Sequence, residues 1–327
     1  MESMTHSKEI AAELRGNVLF KVFPYLYSKN LSKMANRFLY SSIGSQVKSP
    51  TLGYEERFIP RVDGSQLRIC IYRSKDEEVS KKGPGILWLH GGGYSMGIPE
   101  LDERTYEALL SAHPCVIVAP DYRRSVDASY PAAIDDSYLA LKWLKENGER
   151  LGCRVDQLMV GGNSAGGGLT VALTMLARDK QEVSIAYQMP LYPMLDDRMQ
   201  TDSAKHNHAP VWNSRANRIA WDLYLGKLKD SPDVPIYAAP ARAKDYTGLP
   251  PAVTYVGDIE PFYDETLQYA AQLKAVGIPV ALKVFPGAYH GFSQVKFDQT
   301  ISQEAFAFFI ENYIYACQHY FAKQVEA

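Results

Sequence analysis

Ser164 stands at the centre of Gly162-Asn163-Ser164-Ala165-Gly166, and His90-Gly91-Gly92-Gly93 lies upstream of it. A serine hydroxyl attacks a carbonyl once a base takes its proton, and the tetrahedral species that forms carries a negative oxygen needing donors. The two motifs offer a nucleophile and those donors. Gln157-Leu158-Met159-Val160-Gly161-Gly162 reads as a short buried strand, and Ala165 to Arg178 as an apolar helix with a small-residue first turn. A serine between them occupies a sharp, strained turn. Its flanks approach closely, which suits glycine at 162 and 166. The helix start also directs free N–H groups and its positive dipole end at the serine. Gly85 to His90 reads as a second apolar strand, after which Gly91, Gly92 and Gly93 leave backbone N–H groups uncovered. His90 is expected to orient this loop rather than to react. Singly, each motif is also what an ordinary glycine-rich turn looks like. Together, in this order, they fit one acyl-transfer mechanism. A phosphate loop is excluded because no lysine follows Gly168, and the glycine spacing misses a dinucleotide fingerprint.

The serine needs a base, and the base needs an orienting carboxylate. Of seven histidines, His290 is the best placed, in Pro286-Gly287-Ala288-Tyr289-His290-Gly291-Phe292 just past the strand-like Val280 to Phe285. His6, His113 and His319 read as surface residues. His206 and His208 would make half a metal site, but no third ligand has suitable spacing. For the order serine, acid, histidine, the carboxylate falls between 164 and 290. Asp258 and Glu260 both follow the strand-like Pro251 to Gly257, and physical reasoning leaves the choice between them open. Asp264 and Glu265 fall in a first helical turn, where the dipole favours them without any catalytic role.

These groups need a scaffold that brings loop after loop to one edge. Strands are expected at Gln66 to Arg73, Gly85 to His90, Cys115 to Pro120, Leu158 to Gly162, Ile185 to Leu191, Ala252 to Gly257 and Val280 to Phe285. Helices are expected at Glu100 to Ala112, Ala132 to Asn147, Ala165 to Asp179, Arg215 to Gly226, Pro261 to Ala275 and Ser302 to Phe321. Such alternation implies an α/β fold, a mostly parallel sheet with helices on both faces and its site past the strand ends. Residues 1–50 and 194–235 interrupt the pattern and are expected to form two parts of a helical cap. The core would then be 51–193 and 236–327. Aromatics of the second cap segment, Trp212 among them, would pack the cap, line an apolar pocket, or both. Tyr94, next to the glycine loop, is a second candidate for substrate contact. The C-terminal helix reads as core-packing from Phe306, Phe309, Ile310, Tyr313 and Cys317.

These residues resemble the bacterial hormone-sensitive lipase family of α/β-hydrolase carboxylesterases. The resemblance rests on His90-Gly91-Gly92-Gly93, Gly162-Asn163-Ser164-Ala165-Gly166-Gly167 and His290-Gly291-Phe292. Asp121-Tyr122-Arg123, Tyr130-Pro131-Ala132-Ala133, and Trp221 ahead of Tyr224-Leu225-Gly226 add to it, so that it spans roughly residues 50 to 320. By this resemblance the family's acidic-Pro-x-x-Asp-Glu motif maps to Glu260-Pro261-Phe262-Tyr263-Asp264-Glu265. It implies a triad of Ser164, Glu260 and His290, with the N–H groups of Gly92, Gly93 and Ala165 as the oxyanion hole. Glu260 stands where many members carry Asp. Tyr122-Arg123-Arg124-Ser125-Val126-Asp127 replaces the usual Tyr-Arg-Leu-Ala-Pro-Glu beside the site, a difference that bears on substrate preference. Members often pair subunits through the last strand, so a homodimer through Val280 to Phe285 is an expectation.

The 327 residues, 46% hydrophobic, are enough for one large core with a cap. A net charge of −2 gives no electrostatic case for nucleic acid or an anionic membrane. Cys70, Cys115, Cys153 and Cys317 are dispersed and form no disulfide framework; Cys70 and Cys115 read as buried thiols. No secretory signal or membrane span is visible. The expectation is a cytoplasmic serine esterase for small-molecule esters of short to medium acyl chains, with no cofactor and no metal. The alternatives are a deacetylase or amidase using the same residues, and a binding protein on a hydrolase scaffold. The presence of serine, base and acid argues against the last.

Overall fold

A computed structural model describes residues 9–75 and 82–324. His6 lies outside them. Eight strands form one sheet: β1 (Leu52–Pro60), β2 (Gln66–Ser74), β3 (Pro84–Leu89), β4 (Val116–Pro120), β5 (Arg154–Asn163), β6 (Tyr187–Leu191), β7 (Ala252–Gly257) and β8 (Val280–Phe285). Their order is β1-β2-β4-β3-β5-β6-β7-β8. From β4 to β8 the pairing is parallel, while β1 and β2 run antiparallel at one end. This is the α/β-hydrolase fold.

The helices are α1 (Val18–Leu26), α2 (Lys29–Ile43), α3 (Glu103–Ala112), α4 (Ala132–Leu151), α5 (Ala165–Lys180), α6 (Asp202–Lys205), α7 (Ser214–Leu225), α8 (Tyr263–Ala275), α9 (Phe292–Val295) and α10 (Thr300–His319). Strand alternation distributes them over two faces. Leu87 and Leu89 of β3 point with Leu158 and Val160 towards Leu141 and Leu144 of α4 and Leu169 and Leu173 of α5. Ile86 and Trp88 point the other way, towards Tyr106 and Leu109 of α3 and Phe309 and Tyr313 of α10. Strands buried on both faces read as the near-continuous apolar runs seen in the sequence. All four cysteines are buried and free. No helix among the described residues is long and apolar enough to cross a membrane.

The expected strand at Ala252 to Gly257 and the one at Val280 to Phe285 match β7 and β8, the latter at the sheet edge. The region 100–102 is a separate 3₁₀ turn before α3. One strand, β1, was not anticipated. Its sequence Leu-Gly-Tyr-Glu-Glu-Arg-Phe-Ile-Pro presents no consistently apolar face, because it is a half-exposed edge strand. Asp63-Gly64, in the turn joining it to β2, was the readable sign of a hairpin. His113 is half-buried rather than on the surface, its ring edge-on to Tyr313. Glu265 is buried as well and accepts the Leu195 N–H at 2.7 Å, beyond any dipole effect.

The two segments that interrupt the pattern meet above the strand ends. Val211 N–H donates to the Phe20 carbonyl at 2.7 Å, and Arg215 of α7 donates to the carbonyls of Pro24 and Tyr27. Tyr27 packs edge-on against Trp212. Helix α2 is tied to the body by Tyr40, which donates to Asp121 and accepts from Arg124. Arg124 also donates to Asp121 and to the Gly97 carbonyl. Arg123 pairs instead with Asp136 on α4. The two arginines of the atypical 122–127 segment therefore tie α2 and α4 to the loop after β4.

Candidate active site

Sheet register assembles the site. Leu89 pairs with Gly162, so the glycine loop after β3 emerges beside the end of β5. Gly257 pairs with Phe285, so the loops after β7 and β8 emerge side by side. Ser164 sits between β5 and α5 with φ 56° and ψ −119°, a strained conformation for a residue with a Cβ. Its carbonyl accepts from the N–H groups of Gly168 and Met194, and its N–H donates to Leu191. These three bonds hold the turn. A Cβ on Gly166 would fall 1.9 Å from the Leu89 carbonyl oxygen, and one on Gly162 would fall 2.4 Å from it. Only glycine allows β3, β5 and α5 to approach this closely.

Within the turn, Asn163 donates to Asp102 at 2.7 Å, and Trp88 donates to the other oxygen of Asp102 at 3.0 Å. Burial pushes the Asp102 carboxyl up to about 6. This buried clamp on the residue before the serine had no motif to reveal it, since Asp102 lies 61 residues from Asn163.

His290 Nε2 lies 2.8 Å from Ser164 Oγ, and its Nδ1 bonds Glu260 Oε2. The other carboxylate oxygen of Glu260 accepts the Gly257 N–H at 3.1 Å. Glu260 is fully buried. Asp258 instead accepts the Gly287 N–H at 2.7 Å and so braces the loop that carries His290. The imidazole is framed edge-on by Tyr192 and Phe262, neither singled out by motif, with Trp212 alongside.

Gly92 and Gly93 have φ of 116° and 60°. The Gly92 carbonyl accepts from Ser95 and Met96, which turns the loop tightly and frees its leading N–H groups. Among the described residues, neither the Gly92 nor the Gly93 N–H has an acceptor. Ala165 opens α5, where an N–H has no intrahelical partner. His90 is buried, stacks on Tyr122 with ring centroids 4.2 Å apart, and contacts the Gly91 carbonyl oxygen through Nδ1. Burial lowers its pKa to about 4, in keeping with a structural role.

Ser164, His290, Gly92, Gly93 and Trp212 line one cavity of about 830 Å³, roofed by Phe23, Phe38 and Leu39 of α1 and α2. Tyr94 is not among its lining residues, which corrects the expectation of substrate contact. Its ring stacks on Tyr224 and its hydroxyl donates to the Met194 carbonyl at 3.1 Å. It is buried there, on a backbone with φ 58°. His206 and His208 are both exposed and, among the described residues, belong to no group of three possible metal ligands. Among the described residues such a group occurs at Glu56, Cys70 and Glu100. Arg68 already pairs both of its carboxylates, which argues against a cation there.

An elbow serine after a central parallel strand, with a histidine from the last βα loop beside it, defines a hydrolase of the α/β type. The chain matches the model of the alpha/beta hydrolase fold family over residues 86–294 and belongs to that family, in its hormone-sensitive-lipase-like branch. It is 32% identical over 246 residues to a carboxylesterase of Mycobacterium tuberculosis, NlhH, covering 74% of this chain and 76% of that one. It is 31% identical over 212 residues to the esterase LipI of the same organism, covering 64% and 66%. A solved bacterial heroin esterase superposes with a TM-score of 0.83 at 28% identity, over 94% of this chain and 98% of that one. The chain is a carboxylic ester hydrolase.

Proposed function

We propose that the chain hydrolyses short- to medium-chain acyl esters of small molecules through Ser164, His290 and Glu260 and an acyl-enzyme intermediate. His290 Nε2 takes the Ser164 proton as Oγ adds to the ester carbonyl. The imidazolium is held by Glu260, which keeps the other ring proton on Nδ1. The carbonyl oxygen, now negative, accepts from the N–H groups of Gly92, Gly93 and Ala165. Collapse breaks the bond to the alkoxy oxygen, and His290 returns its proton to the departing alcohol. Water then adds to the acyl-enzyme with His290 as base, and the acid leaves as Ser164 recovers its proton. The steps call on no metal or organic cofactor.

The observation that carries this reading is the 2.8 Å contact between Ser164 Oγ and a buried imidazole whose far nitrogen is bonded to Glu260. The apolar roof of Phe23, Phe38 and Leu39 supports a preference for acyl chains that fit beneath two helices. The test is hydrolysis of p-nitrophenyl esters from acetate to palmitate, with Ser164→Ala alongside. Turnover peaking at short or medium chains and lost in a folded variant is the expected result. Turnover that survives Ser164→Ala, or that peaks at palmitate, would overturn the reading.

A further inference from the structure

The overall charge of −2 conceals a strong segregation. Residues 15–54 contain Arg15, Lys21, Lys29, Lys33, Arg37 and Lys48 and not one Asp or Glu. All six cations are exposed. Arg15 pairs with Glu9, and the other five make no ion pair among the described residues. The carboxylates that touch this segment from the body accept on its inner side. Asp121 takes Tyr40, Glu100 takes the Ser45 N–H and Glu103 takes the Ser49 N–H. Asp121 and Glu100 are also engaged by Arg68. The outer side is left positive.

The same outer side is apolar. Val18, Leu19 and Leu26 of α1 and Met34 and Phe38 of α2 are between 60% and 75% exposed. Helical spacing explains the grouping: Val18, Leu19, Val22 and Leu26 form one apolar stripe of α1, and Met34 and Phe38 lie one turn apart on α2 beside Asn30, Arg37 and Ser41. Lys21 is the one charged residue of α1, and Lys33 and Arg37 flank Met34 and Phe38 on α2. Apolar residues laid open to water and rimmed by cations are the pattern of helices that lie in a lipid headgroup layer. The same two helices also line the catalytic cavity, through Phe23, Ala35 and Leu39, and the exposed Phe38 belongs both to that lining and to the outer side.

We infer that the outer face of α1 and α2 docks on an anionic lipid surface, insertion of Leu19 and Met34 adding to attraction of Lys21, Lys33 and Arg37 by the headgroups. Docking would set the mouth of the cavity against the surface from which esters partition. The inference does not depend on the proposed triad, and its test does not use turnover. Co-sedimentation is measured with vesicles of phosphatidylcholine alone and with one quarter phosphatidylglycerol, at low and at near-physiological salt. The wild-type chain is expected to pellet with the anionic vesicles and to be released by salt. Neutralising one cation is expected to weaken partitioning about five-fold, and Lys21→Gln/Lys33→Gln/Arg37→Gln together about a hundred-fold. Leu19→Ser/Met34→Ser should also lower it, with circular dichroism showing that both variants stay folded. No binding to anionic vesicles at low salt, or equal binding by the charge variant, would overturn the inference. So would a stable dimer in lipid-free sedimentation velocity that Leu19→Ser/Met34→Ser dissociates, because the face would then belong to a second copy.

Discussion

Replacing Glu260 by glutamine keeps the size of the side chain and removes its charge, so it isolates what the acid does. Both carboxylate oxygens are in use: Oε1 accepts the Gly257 N–H at 3.1 Å and Oε2 bonds His290 Nδ1. A glutamine has one oxygen and one NH₂ group. If the oxygen stays on the Gly257 N–H, which is buried and must be satisfied, the NH₂ group faces Nδ1. Nδ1 must then accept, and the single imidazole proton moves to Nε2. Nε2, 2.8 Å from Ser164 Oγ, can no longer receive the serine proton. A histidine locked in the wrong tautomer costs on the order of 10³- to 10⁴-fold in turnover, or about 4–5.5 kcal/mol of barrier. Asp258→Asn weakens the bond to the Gly287 N–H and leaves the His290–Glu260 bond in place. It should change kcat by less than about ten-fold while lowering stability by about 1–3 kcal/mol. The assay is kcat and KM on p-nitrophenyl butyrate, with thermal unfolding to confirm that both variants fold. A Glu260→Gln enzyme within ten-fold of wild type, or an Asp258→Asn enzyme more damaged than it, would refute the assignment.

Two further outcomes follow from the same geometry. Gly93→Ala would place a Cβ 2.5 Å from the indole of Trp212 at a φ of 60°. The loop must shift, and loss of one oxyanion donor is expected to lower kcat about 10²- to 10³-fold with little change in KM; unchanged kcat would remove Gly93 from that role. His90, held neutral down to about pH 4 by burial, gives a pH dependence of known sign. Its folded pKa lies below the unfolded value of about 6.5, so the stability it confers is present above pH 6.5 and is lost as pH falls towards 4. The loss is on the order of 3 kcal/mol. Denaturant unfolding of wild type and His90→Asn should therefore converge as the pH falls, and parallel curves would contradict it.

The proposed reacting groups stand out in the sequence because each lies in a local pattern. A glycine on either side of Ser164 is dictated by a strand–turn–helix contact within five residues, and the glycines after His90 follow from one loop. The regular apolar runs made the sheet readable, since strands buried on both faces carry no polar alternation. Tertiary structure decided what depends on direction across the fold. Asp258 and Glu260 follow the same strand two residues apart, and only the packing of the β7 and β8 loops sends one to Gly287 and the other to His290. Tyr94 neighbours the glycine loop in sequence, yet its ring packs into the body against Tyr224. Asp102 reaches Asn163 from a 3₁₀ turn 61 residues away in the chain, and β1 is held by pairing with β2 rather than by a pattern of its own. The charge of the chain is a sum over residues, whereas the cationic face of α1 and α2 combines a segment without Asp or Glu with the engagement of Asp121 and Glu100 beneath it by Tyr40 and the Ser45 N–H. Sequence determines which groups are present and how they are spaced along the chain. Which of them meet is set by register and burial, which couple residues far apart in number.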